Sequence, residues 1–277
     1  YTNQNIDELS GMASTTANSS YGKYAASDYN NRTAQRSIYE TEHRLFATMS
    51  STHYFLGADK PTTFNLYFER KSGLPGTYSW DTYTSRNYGG TAYQREAFGY
   101  EKNLNDDSSH LIYVPTGLTD PNVCWGSCAG APDLAIANQV LDMLYNQLGL
   151  ASYAGQIVPN GVYEYPWQTS LDLKITQILP GFRAEDEFVI SLGIENLLNL
   201  IDSDNGEIKY GPFNGKMAVL DMYMNDDFSK YIYPNYKGRG YPDWAYGFNQ
   251  NNPKGIRKSA VNSIWRAQLG FTYKFSF

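Results

Sequence analysis

Hydrophobic and polar residues alternate strictly at the end of the chain, in "SIWRAQLGFTYKFSF". Trp265, Ala267, Leu269, Phe271, Tyr273, Phe275 and Phe277 fall on one parity, and Arg266, Gln268, Gly270, Thr272, Lys274 and Ser276 on the other. A period of two places alternate side chains on opposite faces of a strand. The run exceeds the usual ~5–6 residues of a soluble strand and matches the ~9–11 that cross a bilayer at a tilt. Its aromatic ends resemble the girdles of a transmembrane barrel.

Four further segments repeat the pattern. Phe64, Leu66 and Phe68 alternate with Asn65, Tyr67, Glu69 and Lys71. Leu171, Leu173 and Ile175 alternate with Ser170, Asp172, Lys174 and Thr176, and Phe188, Ile190, Leu192 and Ile194 with Ser191, Gly193 and Glu195. The remaining segment, "HRLFATMSSTHYF", is weaker. Leu45, Ala47, Met49 and Phe55 suggest one face, but Ser51 and His53 interrupt it and Phe46 and Tyr54 lie opposite. The short links "LGADKPT" and "PGFRAEDE" predict antiparallel hairpins. Between them the connections are long. Alternating long and short links characterise outer-membrane barrels, whereas compact soluble domains rarely carry unstructured loops beyond ~12–15 residues.

The predicted organisation is therefore all-β: about five membrane strands of a larger antiparallel barrel. Residues 1–39, 73–163 and 201–262 are expected as extracellular loops. Hairpins are expected at 40–72 and 164–200, and a terminal strand at 263–277. The first long loop carries a predicted amphipathic helix in "DLAIANQVLDMLYNQLGL", with Pro132 and Asp133 as the start signal and Gly149 as the stop. The second, rich in Tyr and Asp, is expected to form a small sheet or to fold over the barrel mouth.

Composition sharpens this picture. The chain has 277 residues, and its 25 Tyr suit strands, membrane interfaces and wet binding surfaces. Mean hydropathy is −0.51, and no run approaches the ~18 apolar residues of a membrane helix, which excludes helical spans but not a barrel. A net charge of −6 without a basic stripe argues against nucleic acid.

His43, His53 and His110 form no catalytic constellation by spacing, so no enzyme activity and no cofactor are expected. Cys124 and Cys128 in "CWGSC" lack companions for a zinc site and are expected to form a local disulfide. "DSDNGE" at Asp202–Glu207 misplaces the glycine of a calcium loop and reads as a solvated acidic turn, so no metal is assigned.

The ordered set "YETEHRLF", "LIYVPTG", "GQIVPNG", "PWQTSLDLKI" and "IENLLNL", followed by the aromatic terminal strand, resembles the C-terminal part of Oar-like TonB-dependent outer-membrane receptors, from about residue 38 to residue 277. The chain departs from the family at "SGLPGTY", where Gly76 and Thr77 separate Pro75 from Tyr78, and at the cysteine segment. The resemblance implies a barrel of about 22 strands around a plug domain, energised through TonB, with no bond chemistry. It implies as partners the rest of the barrel and its plug, the TonB system, outer-membrane lipid and the barrel assembly machinery, for which Phe277 would be the terminal signal. Five strands cannot close a barrel, so the remainder is expected elsewhere.

Under this reading Phe64, Leu66, Phe68, Leu171, Leu173, Ile190, Leu192, Trp265, Leu269, Phe271 and Tyr273 face lipid. Glu69, Lys71, Asp172, Lys174, Glu195, Arg266 and Lys274 face the lumen, where they could hold a plug or line a route. Charges are expected on that parity alone. Two other functions fit the sequence: a structural or adhesive outer-membrane barrel, and a secreted Tyr-rich glycan-binding β-protein.

Overall fold

The computed structural model describes residues 5–6, 25, 34–82, 110–183, 185–211, 215–225, 227, 229–234 and 255–275. The chain is mostly β-strand. We number the ten strands that organise it: β1 Arg44–His53, β2 Thr62–Lys71, β3 Pro75–Thr82, β4 Val123–Trp125, β5 Tyr163–Glu164, β6 Gln168–Pro180, β7 Glu187–Glu195, β8 Lys216–Met224, β9 Tyr231–Tyr233 and β10 Arg266–Lys274.

Five of them form one antiparallel meander in the order β10-β7-β6-β2-β1. Its short connections, β1–β2 and β6–β7, lie at one end. Residues 72–167 and 196–265 leave and return at the other. Register is continuous across the sheet. Ser51, Phe64, Ile175, Leu192 and Leu269 form one row, and Met49, Leu66, Leu173, Ile194 and Ala267 the next. Directly opposed residues share a face, so the alternation within each strand becomes one apolar face and one polar face. Among the described residues no layer packs over either: Leu45, Met49, Leu269 and Phe271 are about 60% exposed, and most residues of the inner strands are half-buried.

Both insertions contribute to a second sheet, in the order β5-β3-β8-β9-β4. Residues 75–82, expected at the start of a loop, are one of its inner strands, between β5 and β8. They run parallel to β8 from the other insertion, with a register irregularity between Ala218 and Leu220. β9 also pairs parallel with β4. Parallel neighbours need long crossovers, and here the crossover passes through the meander. This cross-insertion pairing differs from the sequence expectation of separate loops. Local periodicity reports faces but not partners distant in the chain.

Helix α1, Leu134–Asp142, packs on this sheet and continues through a π-helical turn, Met143–Gln147. The Asp133 carboxylate accepts from the Ala135 and Ile136 amides at 2.9 and 3.1 Å, satisfying two of the unpaired donors of the first turn. After Leu148, Gly149 takes φ +69°, a conformation that suits glycine and ends the helix. The second sheet and α1 make up an inserted domain, whose core joins Tyr78, Trp80, Ile112, Val114, Trp125, Val140, Leu144, Met217, Leu220 and Tyr233.

Candidate functional site

The polar face of the meander holds a depression of ≈ 460 Å³, lined among others by Ser50, Asn65, Tyr67, Asp172, Lys174 and Glu195. All seven residues assigned to the lumen by parity share this face, although they do not form one cluster. Glu69 accepts from Arg44 at 2.6 Å and lies 3.5 Å from Lys71. Glu195 and Arg266 are a cross-strand pair at 3.8 Å, and Lys274 meets Glu187 at 2.9 Å near the short-turn end. Such pairs stand largely in water and stabilise the fold little, so their value here is the sign pattern they impose on the face. Lys174 has no ion-pair partner among the described residues.

Asp172 has a structural task. Its Oδ1 accepts from the Asn196 amide at 2.8 Å. Asn196 follows β7 in the left-handed region (φ 54°), and its Nδ2 donates to the Gly206 and Ser263 carbonyls, both at 2.9 Å. A side chain on Gly206 would collide with the Asn196 amide. This knot fixes where the second insertion leaves the sheet and where it rejoins before β10.

A second junction ties the segment before β1 to the inserted domain. Arg36 contacts Glu40 at 2.5 Å, Glu42 at 2.8 Å and Glu164 at 2.7 Å, and donates to the Gly161 carbonyl. The Arg36 hydrogen bond holds the Glu164 carboxyl below its usual range, against the opposing pull of desolvation.

Within the domain, Asp120 receives hydrogen bonds from the Thr116 amide (2.6 Å), the Asn122 amide (2.8 Å) and the Tyr113 hydroxyl (3.0 Å). Burial pushes its pKa up, but these donors, led by the Thr116 amide, outweigh it and leave the carboxyl below its ordinary value. Cys124 and Cys128 are joined by a disulfide with Cα atoms 5.0 Å apart, which closes the turn after β4. Asp202 accepts from the Asp204 amide and the Asn205 side chain, folding the acidic segment into a self-satisfied turn. Glu207 beyond it is paired with Lys209 and Lys258.

On the opposite face of the meander, Phe64, Leu66, Phe68, Leu171, Leu173, Ile190, Leu192, Leu269, Phe271 and Tyr273 share one surface. Trp265, just before β10, is exposed. Rings cluster at the short-turn end. Phe182 stacks on Tyr273, and the Tyr273 hydroxyl donates to Asp186 at 2.7 Å. At the other end, Arg70 corrects the expectation that charges occupy one parity alone. It pairs in register with Leu45 and Thr169, on the apolar face. Counting from Phe68 would have placed it there. The tie between Arg36 and Glu164, by contrast, has no sequence signal, because the two are distant in the chain.

His43 and His53 lie at opposite ends of β1. His53 shares a 2.7 Å hydrogen bond with Ser51. Phe277 and most of the Tyr-rich stretch after Tyr233 lie outside the described residues. No group of metal-binding side chains occurs among the described residues, and no helix there is long and apolar enough to cross a membrane. No protein-family model, curated protein or solved structure matches the chain.

Proposed function

We propose that the chain is part of a TonB-dependent outer-membrane transporter. The inserted domain and its loops take a ligand from outside, and the meander forms part of the barrel wall through which the ligand passes. The observation that carries this reading is the apolar face that all five strands share in register and that no second layer of described residues covers. Water is a poor solvent for it, since apolar patches on soluble monomers rarely exceed a few hundred Å². Hydrocarbon is a good one. At ~3.4 Å per residue, Leu171 to Leu179 cover ~27 Å of strand, or ~21 Å of depth at a tilt of ~40°, close to the ~25 Å apolar band of such barrels.

The polar face then lines the lumen, and its acidic and basic residues wet the route or hold a plug. The open strands β1 and β10 pair with the rest of the barrel, because an unpaired edge is not viable in lipid. The exposed end of the sheet is the one with the inserted domain, and the short turns face the periplasm. By the resemblance above, TonB supplies the energy, and the terminal aromatic Phe277 marks the strand for the assembly machinery.

The test uses the full-length gene product in its host. The expected result is recovery in the outer-membrane fraction, dependence on detergent, heat-modifiable migration, and crosslinking to TonB. Recovery as a stable monomer without detergent would overturn the membrane reading and favour a secreted glycan-binding protein. Membrane residence without a TonB crosslink or energy-dependent uptake would favour a structural or adhesive barrel.

A further inference from the structure

Arg70 is the exception to the charge pattern of the sheet, and its surroundings are specific. Its guanidinium carbon lies 5.4 Å from the centre of the Trp167 ring. The His43 ring lies parallel to the same indole, within 5°, at 6.0 Å. His43 Nε2 is 3.4 Å from Glu42, whose carboxylate is also held by Arg36. Arg70 and His43 are exposed, and Trp167 is 45% exposed. On the polar face, Arg44 is neutralised by Glu69. Arg70 has no carboxylate within ion-pair distance among the described residues.

These three side chains sit at the insertion end of the apolar face. The row immediately below contains Ala47, Phe68 and Leu171, and Leu45 lies beside Arg70. A guanidinium that lies over an indole and meets no described carboxylate has an N–H edge to offer. That edge is a planar fork matched to two phosphate oxygens. Trp prefers the boundary between hydrocarbon and water, where one part of the ring is dry and the other wet.

We propose that Arg70, Trp167 and His43 form a docking site for the phosphate of an anionic lipid headgroup, with the acyl chains lying on the apolar rows below. This rests on the membrane reading above. The continuity of the cationic fork with the apolar face favours a lipid-borne phosphate over a free one, because a single exposed guanidinium has little hold on an ion that brings no apolar contact.

The experiment measures binding to the detergent-purified full-length protein of three probes: a diphosphorylated glycolipid such as lipid A, the same glycolipid stripped of phosphate, and inorganic phosphate. Arg70→Gln is expected to weaken binding of the phosphorylated lipid ~10-fold, as loss of a charge-assisted fork implies, with Arg70→Lys intermediate. Trp167→Ala is expected to weaken it as well, and neither variant to change binding of the dephosphorylated lipid. Heat-modifiable migration and circular dichroism establish that the variants are folded. Wild-type affinity of folded Arg70→Gln for the phosphorylated lipid would overturn the proposal and leave the membrane reading intact. Competition by inorganic phosphate at the lipid's own concentration would overturn the assignment to lipid. A protein that stays monodisperse without detergent would overturn the membrane reading itself, and the docking site with it.

Discussion

The meander and the inserted domain are made from one chain, yet they dispose of apolar side chains in opposite ways. In the domain, Trp80, Trp125, Tyr78 and Tyr233 are almost wholly buried, and the polar atoms of three of them are paired inside. Trp80 donates to the Leu111 carbonyl at 3.1 Å, Trp125 to that of Leu118 at 2.9 Å, and Tyr233 to that of Tyr113 at 2.6 Å. Among the described residues, no side chain of the five meander strands belongs to the hydrophobic core cluster. Their apolar residues form a face on which no described core residue packs. The domain is held by side-chain burial, at about 25 cal/mol per Å² of apolar area. The meander is held by its backbone ladder, and by whatever covers its apolar face. The contrast shows that regular alternation need not mark the folded core of a chain, and that long, irregular connections can contain it.

The largest effect tests the domain. Trp80→Ala removes a fully buried indole and leaves the Leu111 carbonyl without its partner. It is expected to cost ~3–5 kcal/mol and to open the domain to protease while the meander keeps its β signal. Simultaneous loss of both would mean that the two regions fold as one unit.

Next comes the meander. Leu269→Arg sets a charge on the apolar face and is expected to cost ~2–4 kcal/mol in assembled protein, whereas Gln268→Arg on the polar face is expected to be nearly neutral. Denaturant titrations in lipid compare the two. Equal costs would show that both faces see water and would erase the contrast.

A smaller effect is expected from Cys124→Ser with Cys128→Ser. The closed loop is short, so chain entropy accounts for about 2 kcal/mol. The loss should appear in the domain's unfolding transition and not in the meander's. The smallest belongs to Asp133→Ala, expected to cost ~1 kcal/mol by leaving the α1 amides uncapped. Hydrogen exchange limited to the first turn of the helix would verify it, and faster exchange in β6 or β7 would contradict the separation of the regions.

Sequence alone was enough to read the all-β character, the approximate positions of the five strands, the alternating faces of four of them and the helix with its Asp133 cap and Gly149 stop. Each depends on interactions within a few residues: side-chain alternation along a strand, a cap bonding to its own first turn, a glycine at positive φ. Arg70 was open to the same count from Phe68. Only the tertiary structure decided that residues 77–82 pair with 216–222, that Arg36 joins Glu164, and that Asp172 anchors Asn196. Those contacts unite positions far apart in the chain. Their energies depend on how separate segments meet in the folded chain, and local periodicity carries no record of that meeting.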